Sequence, residues 1–324
     1  MMKVVYLEHP HSLNKEECMP ATTALGFFDG IHLGHQKVIK SALNKAKELG
    51  TASAVMTLDP HPSVVLRKTV QHVRYITPLS EKKRLLASLG VDILYVVKFD
   101  MSFASLVPQD FVDQYIIGLN IKHVVAGFDY SYGSLGKGTM ETLPFHSRQQ
   151  FDQTVVEKYT TNDLKVSSTY IREQLKEGKV DRLPNTLGRY YYVRGKVGHG
   201  EKRGRTIGFP TANVVLDDEY VIPKTGVYTV RMYVKDRWVN GVCNIGYKPT
   251  FHQKETETLP SIEVHLLDFN QQIYGEEVII EWHNCIREEK KFSGVEALVA
   301  QIGKDKAQAE EYFQKNTHDT CFLT

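Results

Sequence analysis

The stretch GFFDGIHLGH (residues 26–35) follows an apolar run, ATTAL, and precedes a segment of helical periodicity. Val38, Ile39, Ala42, Leu43, Ala46 and Leu49 recur at the spacing of one helix face, and Gly50 closes it. ATTALGFF (residues 21–28) reads as the strand that enters this loop. The same alternation continues downstream. SAVMTL (53–58) is a second buried strand, EKKRLLASLG a helix stopped by Gly90, and DILYVVKF (92–99) a third strand. PQDFVDQYIIGLN opens a helix with Pro108 at its first turn, and HVVAGFD (123–129) is a further strand. Strands alternating with helices predict a parallel sheet covered by helices. In such sheets ligands sit at the carboxyl ends of the strands, where GFFDGIHLGH falls.

His32 and His35 are three residues apart, with Gly34 between them and Asp29 close by. Three roles fit that pattern. A helix start presents unpaired N–H groups and partial positive charge, which suits a phosphate flanked by two imidazoles. Capping or packing is the plain structural reading. Zinc is the third, although its helical signature is usually HExxH and no third ligand is obvious nearby. A second helix start of the same type lies in KVSSTYIREQLKEG (165–178). Hydroxyl residues are common caps, but Arg172 projects one turn in, and a guanidinium binds phosphate bidentately. Between them, LDPHPS (58–63) and GFDYSYGSLGKG (127–138) each follow a strand and so belong on the ligand-facing edge. Asp129, Tyr130 and Tyr132 suit a planar ring; a glycine-rich aromatic loop is the plain alternative.

After about Arg182 the pattern changes. YYVRGKV, TANVVL, GVYTVRMYV, WVNGVCNIG, SIEVHLLDF and EEVIIEWH are short strands between turns, which predicts a small antiparallel barrel or sandwich. A closing helix carries Val295, Leu298, Val299, Ile302, Ala309 and Phe313, and LPNTLGR (183–189) is the expected junction. The densest stretch is GKVGHGEKRGRTIGFPTANV (195–214). Its glycines let backbone N–H groups approach phosphate oxygens, although no P-loop pattern is present and a solvated turn is equally simple. Thr211 and Asn213 fall on one strand face and offer oxygen ligands of the kind Mg²⁺ takes, or a turn-side hydrogen-bond pair. Glu263 shares a face with His265 and Leu267, as a general base or as a solvent-facing strand residue.

At 324 residues the chain is expected to form two domains, at 1–182 and 186–324. A net charge of +2, with 24% charged residues, gives no global field for nucleic acid or membrane, so phosphate binding has to be local. The N-terminus lacks the apolar core of a signal peptide, and no apolar run approaches the length of a membrane span. Cys18, Cys243, Cys285 and Cys321 are far apart with no CxxC pair, which points away from a zinc ribbon and toward a reducing, cytoplasmic setting. Cys243 and Cys285 are expected to be apolar fillers.

Taken in order, GxFDGxHxGH, DPHP, GFDYSYG and SSTYIR resemble the adenylyltransferase module of bacterial bifunctional riboflavin kinase/FAD synthetases, within the HxGH nucleotidyltransferase superfamily. GxVxHGxxxGRxxGFPTAN, PKTGVY, GVCNIGYKPTF, EVHLLDF, IYG and REEKKF are similar to the riboflavin kinase domain over residues 186–313. The resemblance implies a Rossmann-like α/β domain followed by a six-stranded antiparallel β-barrel with a C-terminal helix. It implies riboflavin, FMN and ATP as substrates, Mg²⁺ as cofactor and FMN and FAD as products. His32, His35 and Arg172 would serve adenylylation, and Glu263 would deprotonate the ribityl hydroxyl. Nucleotide contacts would come from Gly26, Phe28, Asp29, Gly34, Ser168, Thr169, Gly195, Lys196, His199, Gly200, Arg205 and Pro210. Flavin contacts would come from Asp59, His61, Pro62, Asp129, Tyr130, Tyr132 and Arg287, and Mg²⁺ would lie near Thr211 and Asn213. Ser131 stands where the family loop commonly carries Arg or another residue, which bears on flavin affinity and not on reaction class. The partners expected are small molecules, not nucleic acid or membrane, with weak self-association left open. Retention of a single activity, or a catalytically silent flavin-binding regulator, are the other readings of the same motifs.

Overall fold

Short runs rich in β-branched residues line up in the first half of the chain to form one parallel sheet. A computed structural model of the protein describes residues 1–67, 72–161, 164–200, 204, 207–247 and 260–316. They fall into two compact units, Met1–Ser168 and Thr169–Thr324. In the first unit the strands are β1 (Lys3–Leu7), β2 (Ala21–Leu25), β3 (Ala52–Asp59), β4 (Ile93–Lys98), β5 (Ile121–Gly127) and β6 (Asp152–Val156). Their spatial order is β1-β4-β3-β2-β5-β6, and every neighbouring pair is parallel. Successive crossovers from β2 run toward one edge through β3 and β4, while β5 and β6 lie on the other side. The order therefore reverses beside β2, and the crevice at its carboxyl end is where this sheet type takes ligands.

Helix α1 (Leu33–Leu49) follows β2 and buries Val38, Ile39, Ala42 and Ala46. Gly50 ends it at φ 63° and accommodates the left-handed cap. Helix α2 (Leu79–Ser88) buries Leu85 and Leu86 and, unusually, Glu81 and Lys82. Leu25, Met56, Tyr95, Val97, Phe103, Phe111, Tyr115 and Ile116 belong to one core cluster. The strand expected over residues 21–28 stops at Leu25, because the chain turns at Phe28 with φ 56°. The segment beginning at Pro108 is α-helical only to Phe111 and continues as a π-helix over Val112–Ile117. The edge strands β1 and β6 were not expected from the sequence.

Helix α3 (Ser168–Glu177) begins with the last residue of the first unit and continues into the second. The second unit holds β7 (Tyr191–Gly198), β8 (Ala212–Leu216), β9 (Gly226–Val234), β10 (Arg237–Gly246), β11 (Ser261–Leu266) and β12 (Glu277–Arg287). They close into a barrel in the order β7-β8-β11-β10-β9-β12, antiparallel throughout. Closure pairs every strand on both sides and leaves no open edge. Ala212, Val264 and Cys243 are register partners and are buried, as expected of a filler at Cys243, whose thiol is pushed up by burial. Cys285 is half-buried, and Cys321 lies outside the described residues.

Helix α4 (Val295–Lys315) packs on β9, β10 and β12. Asp305, 2% exposed, receives Arg287 Nε at 3.0 and 3.1 Å and Nη2 at 2.7 Å. Gln301 Nε2 donates to the same carboxylate at 2.8 Å. This planar fork ties the end of β12 to the middle of α4. Asp305→Ala leaves a largely buried guanidinium unpaired and is expected to destabilise the second unit by roughly 3 kcal/mol. Both tryptophans, Trp238 and Trp282, lie in that unit, so the denaturant midpoint read by tryptophan fluorescence measures it.

Candidate active sites

In the first unit GFFDGIHLGH becomes a strained loop and a helix start. Phe28 (φ 56°), Gly30 (φ 90°) and Ile31 (φ 38°) all occupy the left-handed region. A Cβ on Gly26 would lie 2.8 Å from the Phe28 ring, so only glycine lets the loop fold back on its strand. Asp29 is 4% exposed, and its Oδ1 accepts from the Thr77 N–H at 3.0 Å. Ser168 Oγ donates to the Asp29 carbonyl at 2.7 Å.

His32 caps α1: its Nδ1 accepts from the His35 N–H at 3.1 Å. A neutral imidazole accepting at Nδ1 carries its proton on Nε2. The rings of His32 and His35 stack with centroids 3.5 Å apart and planes 19° apart. A side chain on Gly34 would start 3.2 Å from the His32 ring, so this glycine makes room for the stack. Phe28 meets His35 edge-on at 5.3 Å. Burial, the neighbouring His32 and Lys82 hold His35 well below the ordinary imidazole value, and its buried Nδ1 has no hydrogen-bond partner. The pair therefore offers neutral rings beside the free N–H groups of a helix start, an arrangement suited to polyphosphate. Among the described residues no three His, Cys, Asp or Glu side chains cluster to hold a metal, which leaves the zinc reading of HLGH without support.

Beside this loop lies a cavity of about 460 Å³, lined mainly by apolar side chains. Gly26, Phe27, Met56 and Leu58 form one wall, with Pro62, Tyr130, Ser131 and Tyr132 around it. Its size and lining suit a planar ring system. Tyr132 is fixed by a 2.7 Å hydrogen bond between its hydroxyl and His146 Nδ1. Tyr130 stacks on Tyr132 at 6.3 Å. Asp59, His61 and Asp129 are not in the lining. His61 caps the short helix Pro62–Leu66, accepting from the Ser63 N–H at 3.1 Å, and meets Phe27 edge-on at 4.6 Å. Asp129 is exposed. Sequence reasoning missed Phe99, Phe103 and Phe111, which complete the cavity from a segment with no motif. It also missed Lys82, which the sequence places only within the EKKRLLASLG helix.

In the second unit the ladder assembles the expected kinase residues. Glu263 on β11 stands opposite Asn213 on β8 and Asn244 on β10, and Asn213 stands opposite Gly198 on β7. Directly opposed residues share a face, so Asn213, Glu263 and Asn244 form one row opposite the buried Ala212, Val264 and Cys243. A Cβ on Gly200 would fall 2.1 Å from Asn213 Nδ2, and one on Gly204 would be 3.4 Å from Thr211 Oγ1. Gly200 and Gly204 thus approach the two residues expected near Mg²⁺, whose hydroxyl and amide oxygens are the hard donors that ion takes. His199 stacks on Tyr274 at 4.6 Å, and Pro210 offers its carbonyl to His265 Nδ1 at 2.9 Å. A Cβ on Gly195 would meet the Val215 carbonyl at 2.2 Å, so this glycine serves strand pairing. Lys196 is exposed and 3.6 Å from Glu277. Arg287 is held by Asp305, as described above. Thr169 and Arg172 lie in α3 within the second unit, and Arg205 lies outside the described residues.

A parallel sheet with an HxGH helix start and a closed barrel with a Thr/Asn/Glu face define a nucleotidyltransferase joined to a flavin kinase. Residues 14–170 match the FAD synthetase family model, and residues 187–313 match the riboflavin kinase model. A bifunctional riboflavin kinase/FMN adenylyltransferase of Bacillus subtilis is 54% identical over 96% of this chain and 98% of its own length. Enzymes of the same name from Listeria monocytogenes and Escherichia coli are 48% and 32% identical over 97% and 94% of the chain and 99% and 96% of their own lengths. The chain belongs to this bifunctional riboflavin kinase/FMN adenylyltransferase family. A crystal structure described as a macrolide-efflux protein from Streptococcus pneumoniae superposes with a TM-score of 0.85 at 34% identity, covering 95% of this chain and 99% of its own. Among the described residues no helix is long and apolar enough to cross a membrane.

The depressed His35 value has a direct consequence. In the folded state the ring stays neutral below pH 6.5, where an unfolded histidine takes up a proton. Stability is then full above about 6.5 and declines as pH falls below it. A ¹H–¹³C titration of histidine resonances is expected to show His35 unprotonated at pH 6; an ordinary titration near 6.5 would contradict the burial described here.

Proposed function

We propose that the chain converts riboflavin and ATP to FMN and ADP in its barrel unit, and FMN and ATP to FAD and pyrophosphate at the loop of residues 26–35. The observation that carries the second reaction is the apolar cavity set against a helix start bearing two neutral imidazoles. The one that supports the first is the Asn213–Glu263–Asn244 row, with Gly200 set close against Asn213. The functional halves are assigned to residues 1–182 and 186–324. The substrates are small molecules and the setting is the cytoplasm, with no role for nucleic acid or a membrane.

In phosphorylation the nucleophile is the ribityl 5′-hydroxyl, which must lose a proton as it attacks the γ-phosphorus. Glu263 takes that proton, while Thr211 and Asn213 hold Mg²⁺, which when bound neutralises the phosphate charge. His199, Gly200, Lys196 and Pro210 form the nucleotide side of this site, the motif assigning Gly195 and Arg205 to the same nucleotide and Arg287 to the flavin. In adenylylation the FMN phosphate is already anionic and attacks the α-phosphorus of ATP, so no base is needed. Positioning and charge stabilisation do the work. His32 Nε2–H and His35 meet the developing negative charge, aided by Arg172. Gly26, Phe28, Asp29, Gly34, Ser168 and Thr169 shape the nucleotide site, while Pro62, Tyr130 and Tyr132 border the flavin ring and Asp59, His61 and Asp129 stand outside that lining.

Chromatographic separation of flavins after incubation with riboflavin, ATP and Mg²⁺ tests both steps. His32→Ala is expected to lower FAD formation by about 10²-fold or more while FMN still accumulates. Glu263→Gln is expected to lower riboflavin phosphorylation by about 10²–10⁴-fold and leave FAD formation from supplied FMN intact. Either substitution abolishing both activities in a folded protein would refute separate sites.

A further inference from the structure

Lys82 is 3% exposed, although lysine is almost never fully buried unless paired. Its ammonium donates to the Phe27 carbonyl at 2.7 Å and to Thr57 Oγ1 at 3.0 Å. Thr57 Oγ1 donates to the same carbonyl at 2.8 Å, and the Phe27 ring lies 4.5 Å from the ammonium. Asp29 from the loop and Asp59 from the end of β3 attract it, and it disfavours charge on His35 of α1. On its own helix, Glu81 pairs with Arg84. One buried cation thus holds the Phe27 carbonyl and Thr57 directly and acts electrostatically on Asp29, Asp59 and His35 around the turn out of β2.

The Phe27 carbonyl is the last backbone group before the left-handed run at Phe28, Gly30 and Ile31. On one side of it Phe27 lines the apolar cavity; on the other Phe28 meets His35 edge-on. A shift of this carbonyl would move both. We propose that Lys82 is a positioning residue for FMN adenylylation, holding the Phe27 carbonyl so that Phe27 faces the flavin cavity while the following residues set the His32–His35 pair. This rests on residues 26–35 being the adenylylation site.

Burial lowers the Lys82 ammonium to about 8 against the pull of Asp29 and Asp59. The clamp is therefore charged below that pH and loses its proton as pH rises through it. Lys82→Met keeps the length of the side chain and removes the charge and donors; Lys82→Arg keeps a charge that does not titrate there.

The test uses the full chain, with riboflavin phosphorylation as an internal control and a far-UV circular dichroism melt for folding. For K82M we expect kcat for FAD formation to fall by about tenfold or more and KM for FMN to rise. Riboflavin phosphorylation should stay within about twofold, and the alkaline fall in adenylylation expected of the parent near pH 8 should be absent. In K82R that fall should move to higher pH. Parent-like kcat and KM in K82M, or an unchanged alkaline fall in a weakened K82M, would overturn the proposal. If K82M does not fold, K82R decides, since an alkaline fall left at the parent's pH overturns it. His35→Ala, run in parallel, separates the two levels. An H35A protein that still makes FAD removes the site reading itself, whereas an inactive H35A beside a parent-like K82M removes only the role of Lys82.

Discussion

The backbone must leave β2 and enter α1 within residues 26–32, and it does so through left-handed conformations at Phe28 and Ile31 that side chains disfavour. Each such residue costs of order 1–3 kcal/mol, so the turn persists only if its surroundings over-determine it. They do. The Phe27 carbonyl accepts from Thr57 and Lys82, the Asp29 carboxylate accepts from Thr77, and the Asp29 carbonyl accepts from Ser168. The direction of α1, the stack of His32 on His35 and one wall of the apolar cavity all follow from this turn. Local strain here sets two surfaces of opposite character side by side, an apolar cavity and a helix start lined by imidazoles.

The barrel solves its problem by a different means. There the side chains are placed by register, which strand closure fixes, and a one-residue slip on β11 would turn Glu263 inward. The chemistry explains the contrast between the units. A hydroxyl nucleophile needs a base in a fixed direction, which a strand ladder provides. A phosphate nucleophile needs N–H groups and neutral donors at a helix start, which a loop entering a helix provides.

Much of this was legible in the residues. The periodicity of α1, the buried β3, β4 and β5 and the barrel strands are visible because burial on one or both faces forces a regular apolar pattern. The motifs located both loops. The edge strands β1 and β6 escaped because half their side chains face solvent and their apolar runs are short. The strand into residues 26–28 was over-extended because two phenylalanines have high strand preference, and only the Gly26–Phe28 contact shows why the chain turns. The far wall of the cavity was invisible, since Phe99, Phe103 and Phe111 converge on Tyr130 only in the folded sheet. Lys82 sits between Glu81 and Lys83 in a charged run, where nothing in the sequence separates a buried cation from solvated neighbours. The motif marks Arg287, but its bidentate tie to Asp305 depends on a helix that follows later in the chain and is not legible in the motif.

The stacked imidazoles have one more consequence. With ring centroids 3.5 Å apart, His32 and His35 are too close for both to be cationic, so the pair can store one proton and no more. An anion meeting this helix start therefore faces at most one imidazolium, and the rest of its attraction falls to the backbone N–H groups of the first turn.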